Sequence, residues 1–181
     1  MIAKPPMSNN IHVCSLDALE NTAANTGPSH LVTLVNKDMT VATPANIKPT
    51  NHLRLTMNDI AAPKSGLIIP DQKHIEDLLA FTSKWTQDAP LLIHCLAGIS
   101  RSTAATFITL CSLNPQTDEI EIAKALRTAS PTAHPNRLLV SHGDKLLGRN
   151  GLMIKAIEDM EPAIVASEGT PFSMPAKIPF R

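Results

Sequence analysis

The sequence has no tyrosine, one tryptophan and four phenylalanines. With aromatics at 3%, the core has to be built from Leu, Ile, Val, Ala and Met. Three cysteines in 181 residues are too few for a disulfide-built secreted scaffold. Neither sign of charge is in excess: 16 Lys+Arg stand against 16 Asp+Glu. That argues against nucleic acid as a partner, because phosphate-backbone affinity needs surplus Lys and Arg. No run approaches about 18 consecutive apolar residues, so no membrane association through a spanning segment is expected. The first ten residues, MIAKPPMSNN, hold no apolar stretch, so no secretory signal is expected. Free thiols without an export signal suggest a reducing, cytoplasmic setting. The seven histidines form no HExxH and no CxxC is present, so neither a metal site nor a cofactor is expected.

What is present is enough apolar material for a core, at 43% of residues, in a length that suits one domain. Residues 11–15, 30–36 and 52–56 read as strands, and 90–95 as a short buried strand. A helix is expected after the first strand, with Ser15 or Asp17 as its cap and Gly27 at its end. The stretches 39–50 and 57–70 read as loops, the first broken by Pro44 and Pro49. Asp71 suits the N-cap of a helix whose apolar face holds Ile75, Leu78, Leu79, Thr82 and Trp85. From Arg101 the sequence is helical and apolar almost all round, as for a helix sandwiched in a core. Helices follow over 118–128, 135–147 and 150–160, with Pro135 in a first turn and Gly148 at an end. The expected fold is α/β: a mostly parallel sheet of four to five strands flanked by helices, with a helical C-terminal part. Residues 1–160 form the single domain and 161–181 an irregular, proline-containing tail.

The chemistry concentrates in LLIHCLAGISRSTAA, residues 91–105, a strand, a tight loop and a helix. A loop feeding a helix N-terminus aims several backbone N–H groups at one point, where the helix dipole adds positive charge. Leu96, Ala97, Gly98, Ile99, Ser100 and Arg101 would form such an anion-binding nest. Gly98 permits backbone angles that other residues resist, and Arg101 offers a planar fork for two phosphate oxygens. Cys95 lies at the floor of the nest, whose field favours the thiolate. Ser102 can hydrogen-bond the sulfur, and His94 can hold the loop.

His94-Cys95, five residues, then Arg101-Ser102 closely resembles the signature of the cysteine-dependent protein tyrosine phosphatase superfamily. The wording HCLAGISRS is similar to the dual-specificity branch, with the size of a small bacterial-type tyrosine phosphatase. The resemblance covers roughly residues 10–160 and includes Asp59 of MNDI, in the loop ahead of the helix that precedes the signature strand. It also includes the pair Pro135-Asn136. It implies the cysteine phosphatase fold and phosphoryl transfer through a phosphocysteine. Cys95 would be the nucleophile, Asp59 the general acid and then base, and Ser102 the stabiliser of the departing sulfur. Asn136 and His94 would support the loop. The implied partner is a phosphorylated protein or a small phosphomonoester; the oligomeric state is left open.

Rival readings exist for several of these residues. Asp59 could be an ordinary turn former. Asp38, after the second strand, is the serious alternative acid, whereas Asp71 and Asp88 are better explained as a helix cap and a turn. Cys14 and Cys111 read as core residues, one of them conceivably a redox partner of Cys95. The loop carries no lysine of the kind that meets extra phosphates, so a singly phosphorylated substrate is expected. The resemblance also leads us to expect a shallow cleft, accepting phosphotyrosine and also phosphoserine or phosphothreonine. Two other functions could use the same loop: a phosphate-binding adaptor of pseudophosphatase type, and arsenate reduction.

Overall fold

Apolar residues recur on both faces of the central strands, and the fold covers both. The computed structural model describes residues 9–179. Strands β1 (Asn10–Cys14), β2 (His30–Val35), β3 (His52–Thr56) and β4 (Leu91–His94) are followed far down the chain by β5 (Phe172–Pro175). Helix α1 (Leu19–Thr26) lies between β1 and β2, and α2 (Gln72–Thr82) between β3 and β4. After β4 come α3 (Arg101–Leu113), α4 (Glu119–Ala129), α5 (Arg137–Leu146) and α6 (Leu152–Glu158). The sheet order is β3-β2-β4-β1-β5. The first four strands are parallel, and β5 runs antiparallel along β1. This is the α/β layer arrangement expected from the alternation of strands and helices.

Alternate side chains divide the core. Val32 and Leu34 of β2 join Val13, Leu55 and Ile93 beneath α2 and α3. Leu31 and Val35 face the other way, against Leu19 and Ala23 of α1 and Val41 and Ile47 of the following loop. Helix α3 packs on β1, β2 and β4 and on α2, α4 and α5. Every residue from Arg101 to Cys111 is buried, as its uniform apolarity implied. Its buried threonines are satisfied locally: Thr106 donates to the Ser102 carbonyl and Thr109 to the Ala105 carbonyl.

Local signals explain most boundaries. Asp71 caps α2, its carboxylate accepting from the His74 N–H while His74 Nδ1 accepts from the Asp71 N–H. Gly27 ends α1 in the left-handed region. Three expectations are corrected. Neither Ser15 nor Asp17 is the N-cap of α1, which begins after Ala18; the Ser15 hydroxyl accepts from the Ala18 N–H one turn earlier. Pro135 precedes the first turn of α5, because Asn136 is the cap residue. The tail is not irregular throughout: residues 172–175 pair with β1, burying Met174. Among the described residues no helix is long and apolar enough to cross a membrane.

Candidate active site

The carboxyl ends of parallel strands are where open α/β sheets leave a crevice, and here β4 ends in the loop 95–100. Cys95 is buried, its Sγ 3.3 Å from the Gly98 N–H that donates to it and 3.1 Å from the Ser102 Oγ. Gly98 has φ +72°, and a Cβ there would lie 2.8 Å from Ser15 N and 2.9 Å from the Cys14 carbonyl carbon. Only glycine lets the loop turn this tightly against the end of β1. The loop is tied there from outside as well, since the Leu16 N–H donates to the Leu96 carbonyl at 3.0 Å.

Arg101, the first residue of α3, is buried with its head directed across the site. One of its terminal nitrogens, Nη1, donates to Asn36 Oδ1 and to the Met57 carbonyl, both at 2.8 Å. Its Nε is buried and makes no hydrogen bond. A buried guanidinium nitrogen without an acceptor is costly, and this one belongs to a side chain that lines the same cavity as Cys95. That cavity has a volume of about 440 Å³. Leu96, Ala97, Ile99 and Ser100 line it together with Asn36 and Asp59.

Of the four candidate acids, Asp59 alone lines this cavity. It is held there by two donors on one oxygen: the Ser100 hydroxyl at 2.7 Å and the Asn136 side-chain amide at 2.8 Å. Ser100 is the residue before α3, and its hydroxyl reaches Asp59 instead of capping that helix. Asn136 works in two directions. Its oxygen caps α5 through the Leu138 and Leu139 N–H groups, while its amide bridges to Asp59 and the Ile60 carbonyl. Asp71 is spent on the α2 cap.

Behind the loop lies a line of polar side chains, buried at His94, Thr33 and His52 and reaching the surface at Arg54. His94 Nδ1 donates to the Cys95 carbonyl at 3.1 Å, and burial pushes its pKa down to about 4. A neutral ring with its proton on Nδ1 must accept at Nε2, and Thr33 Oγ1 lies there at 2.7 Å. Having given its proton to His94, Thr33 accepts from His52 Nε2 at 2.8 Å. His52 is also pushed down to about 4 by burial, with Arg54 and His94 adding to the effect. Its Nδ1 therefore accepts from Thr43 Oγ1 at 2.8 Å, and Thr43 in turn accepts from Arg54 Nη2 at 2.8 Å. Every proton in the line points from Arg54 towards the Cys95 carbonyl.

Cys95, Arg101, Ser102, Asp59, the loop residues 96–100, His94 and Asn136 thus meet at one cavity or directly around it, whereas Asp38, Asp71 and Asp88 do not line it and the two other cysteines lie in the core. Cys14 packs against α1, with its pKa raised to about 12 by burial, and Cys111 is raised in the same way. Thr33, His52, Asn36 and the Met57 carbonyl were not foreseen. Asn36 and Met57 could have been suspected from their positions just past β2 and β3, the strand ends that border the crevice. The larger neighbouring cavity, about 790 Å³, shares Asp59 and Ser100 with the first but not Cys95.

No family model matches the chain. Over 76 residues it is 34% identical to the dual specificity protein phosphatase OPG106 of monkeypox virus, a match covering 35% of this chain. The chain spans 44% of the length of the curated viral relatives it matches. Among solved structures, human DUSP28 superposes with a TM-score of 0.59 at 19% identity, covering 77% of this chain and 92% of that one. The PTP-2 phosphatase of Cydia pomonella superposes with a TM-score of 0.57 at 18% identity, covering 91% and 94%. The chain has the fold of the dual-specificity phosphatases, and part of its sequence resembles theirs.

Proposed function

We propose that the protein is a cysteine-dependent phosphatase that hydrolyses phosphomonoesters on proteins, phosphotyrosine foremost, through a phosphocysteine intermediate. One observation supports this most: Cys95, Asp59 and Arg101 all line one cavity, each side chain held by hydrogen bonds of its own, while Arg101 Nε is left buried and unpartnered. The Cys95 thiolate attacks phosphorus, forming the S–P bond as the ester P–O bond breaks. The leaving oxygen takes the proton of Asp59. Asp59, now a carboxylate, removes a proton from the water that cleaves the S–P bond, and Ser102 donates to the departing sulfur. The loop N–H groups and the guanidinium meet the equatorial oxygens, supplying most of the charge stabilisation without a metal ion.

Among the described residues, Asp59 and Arg101 are the only charged side chains lining the cavity that holds Cys95, which favours a substrate with a single phosphate. Aryl esters should react fastest, because their leaving oxygens are more acidic. Arsenate reduction finds no support, since buried, protonated Cys14 and Cys111 offer no thiolate to relay electrons. A pure binding adaptor would have no need of an acid clasped over the pocket. The test is hydrolysis of 4-nitrophenyl phosphate by the purified chain in EDTA. Turnover that persists with the chelator and disappears in Cys95→Ser is expected; turnover surviving that substitution removes the assigned nucleophile.

A further inference from the structure

After α6 the chain does not leave the domain. Residues 161–169 run back across the mouth of the site and are fastened at both ends. The Ile164 N–H donates to the Pro131 carbonyl at 2.9 Å, and the Gly169 N–H to the Ala97 carbonyl at 2.8 Å. Between them, Ser15 donates to the Glu168 carboxylate. A Cβ on Gly169 would lie 2.9 Å from the Gly98 carbonyl oxygen and 3.4 Å from Ile99 Cγ1, so this strap rests directly on the loop that cradles Cys95. Strand β5 then anchors it to the sheet.

The strap adds apolar surface where the fold has no use for it. Five large hydrophobic side chains are exposed among the described residues: Leu67, Leu96, Leu152, Ile164 and Val165. All but Leu152 border the two cavities. Val165 is 99% exposed and Ile164 63%. Exposed apolar side chains gathered around a site offer a surface that a bound segment can cover. The two cavities share Asp59, Ile60, Ile99, Ser100 and Ala166, so the wider one continues directly from the one holding Cys95.

The charges of the wider cavity are already engaged. Arg127 donates to the carbonyls of Ser130, Pro131 and Glu161, and Arg137 to the Glu158 carboxylate. Its other charged linings, Glu161 and Asp59, are acidic. An acidic segment entering it would meet three carboxylates, Asp59, Glu158 and Glu161, against two arginines that already make hydrogen bonds, whereas aliphatic side chains would cover Ile164 and Val165.

We propose that the strap, with Leu67 and Leu96, forms an apolar subsite for the residues flanking the phosphorylated side chain of a protein substrate, selecting aliphatic over acidic flanks. This rests on the phosphatase reading above. A phosphoryl group seated on Cys95 tethers its own neighbours at the shared wall, so the occupant is the substrate's own polypeptide and not a separate partner.

The experiment uses the full chain and two phosphotyrosyl peptides of equal length, one with Leu and Val flanks and one with Glu flanks. The aliphatic peptide should show about tenfold higher kcat/KM, the equivalent of burying one aliphatic side chain. The double substitution Ile164→Ser, Val165→Ser should abolish that preference and leave 4-nitrophenyl phosphate turnover unchanged. Binding of both peptides to Cys95→Ser reads the subsite without turnover. Equal kcat/KM and equal affinity for the two peptides, or a preference surviving the double substitution, overturns the subsite. Failure of the wild-type chain to hydrolyse any ester, with the binding preference intact, overturns the phosphatase reading alone.

Discussion

Thr33→Val removes one hydroxyl and breaks the polar line behind the loop in two places. Valine matches threonine in shape, so the pocket stays filled. What changes is that His52 Nε2–H loses its acceptor and His94 Nε2 loses its donor, at bonds of 2.8 and 2.7 Å. Both rings are buried. Stranding two such groups costs about 1–3 kcal/mol each, and the added methyl offsets part of it, which leaves a net loss of about 2–4 kcal/mol. For a domain of this size that lowers Tm by roughly 4–16 °C.

The loss reaches function through His94. Thr33 fixes the tautomer that lets Nδ1–H hold the Cys95 carbonyl, and that carbonyl sets the start of the 95–100 loop. A loosened loop should lower kcat/KM for 4-nitrophenyl phosphate by about 10–100-fold, and slow alkylation of Cys95 by iodoacetamide. Thr33→Ser keeps the hydroxyl and should retain most of both stability and turnover. Should Thr33→Val and Thr33→Ser prove equally stable and equally active, the hydroxyl is dispensable and the line is packing, not positioning.

Other outcomes follow from the same geometry. Asp59→Asn should slow esters with high-pKa leaving groups far more than 4-nitrophenyl phosphate; an equal loss for both moves the acid role elsewhere, with Asp38 the next candidate. Gly98→Ala forces a side chain into backbone 2.8 Å away at a positive φ; turnover should fall by about 100-fold or more while phosphate protection against thermal unfolding is lost. His52 and His94 have folded pKa values near 4 against 6.5 unfolded, and burial shifts His12 and His30 in the same direction. The unfolded chain thus binds more protons between those values. Stability in urea should be insensitive to these groups above pH 6.5, fall as pH drops from 6.5 towards 4, and level off below; a flat profile over that window refutes the buried neutral histidines.

How much of this could be read from the sequence depends on whether the signal is local. β3 lies over the residues expected of it, 52–56, because alternation and flanking breakers act within a few residues. Asp71 caps α2 for the same reason, and the buried α3 follows from apolarity on all sides. The shape of the loop from Cys95 to Ser102 was legible because an anion-binding nest needs contiguous residues: its amides, its glycine and its arginine lie within one turn of chain. Asp59 was reached only through resemblance to a family, since no local pattern distinguishes it from Asp38.

What escaped is whatever depends on register or on distant pairing. Thr33 lies beside His94 across the β2–β4 pair, and His52 reaches it from the diagonal position on β3, so their meeting is decided by strand alignment that no single segment encodes. β5 has four residues, one of them Pro175 and only Met174 buried. An edge strand tolerates a proline that a central strand would not, so the same residues read as tail until β1 supplies the partner. Ser15 shows the point most sharply. Its sequence context reads as a helix cap, yet its hydroxyl donates to Glu168, a residue 153 positions away. That bond, with Gly169 on Ala97, turns the end of the chain into part of the wall around Cys95. The proposed subsite therefore joins a strap from the C-terminal part of the described chain, tied down by Ser15 near its start, to Leu67 and Leu96 from its middle, where the proposed chemistry also lies.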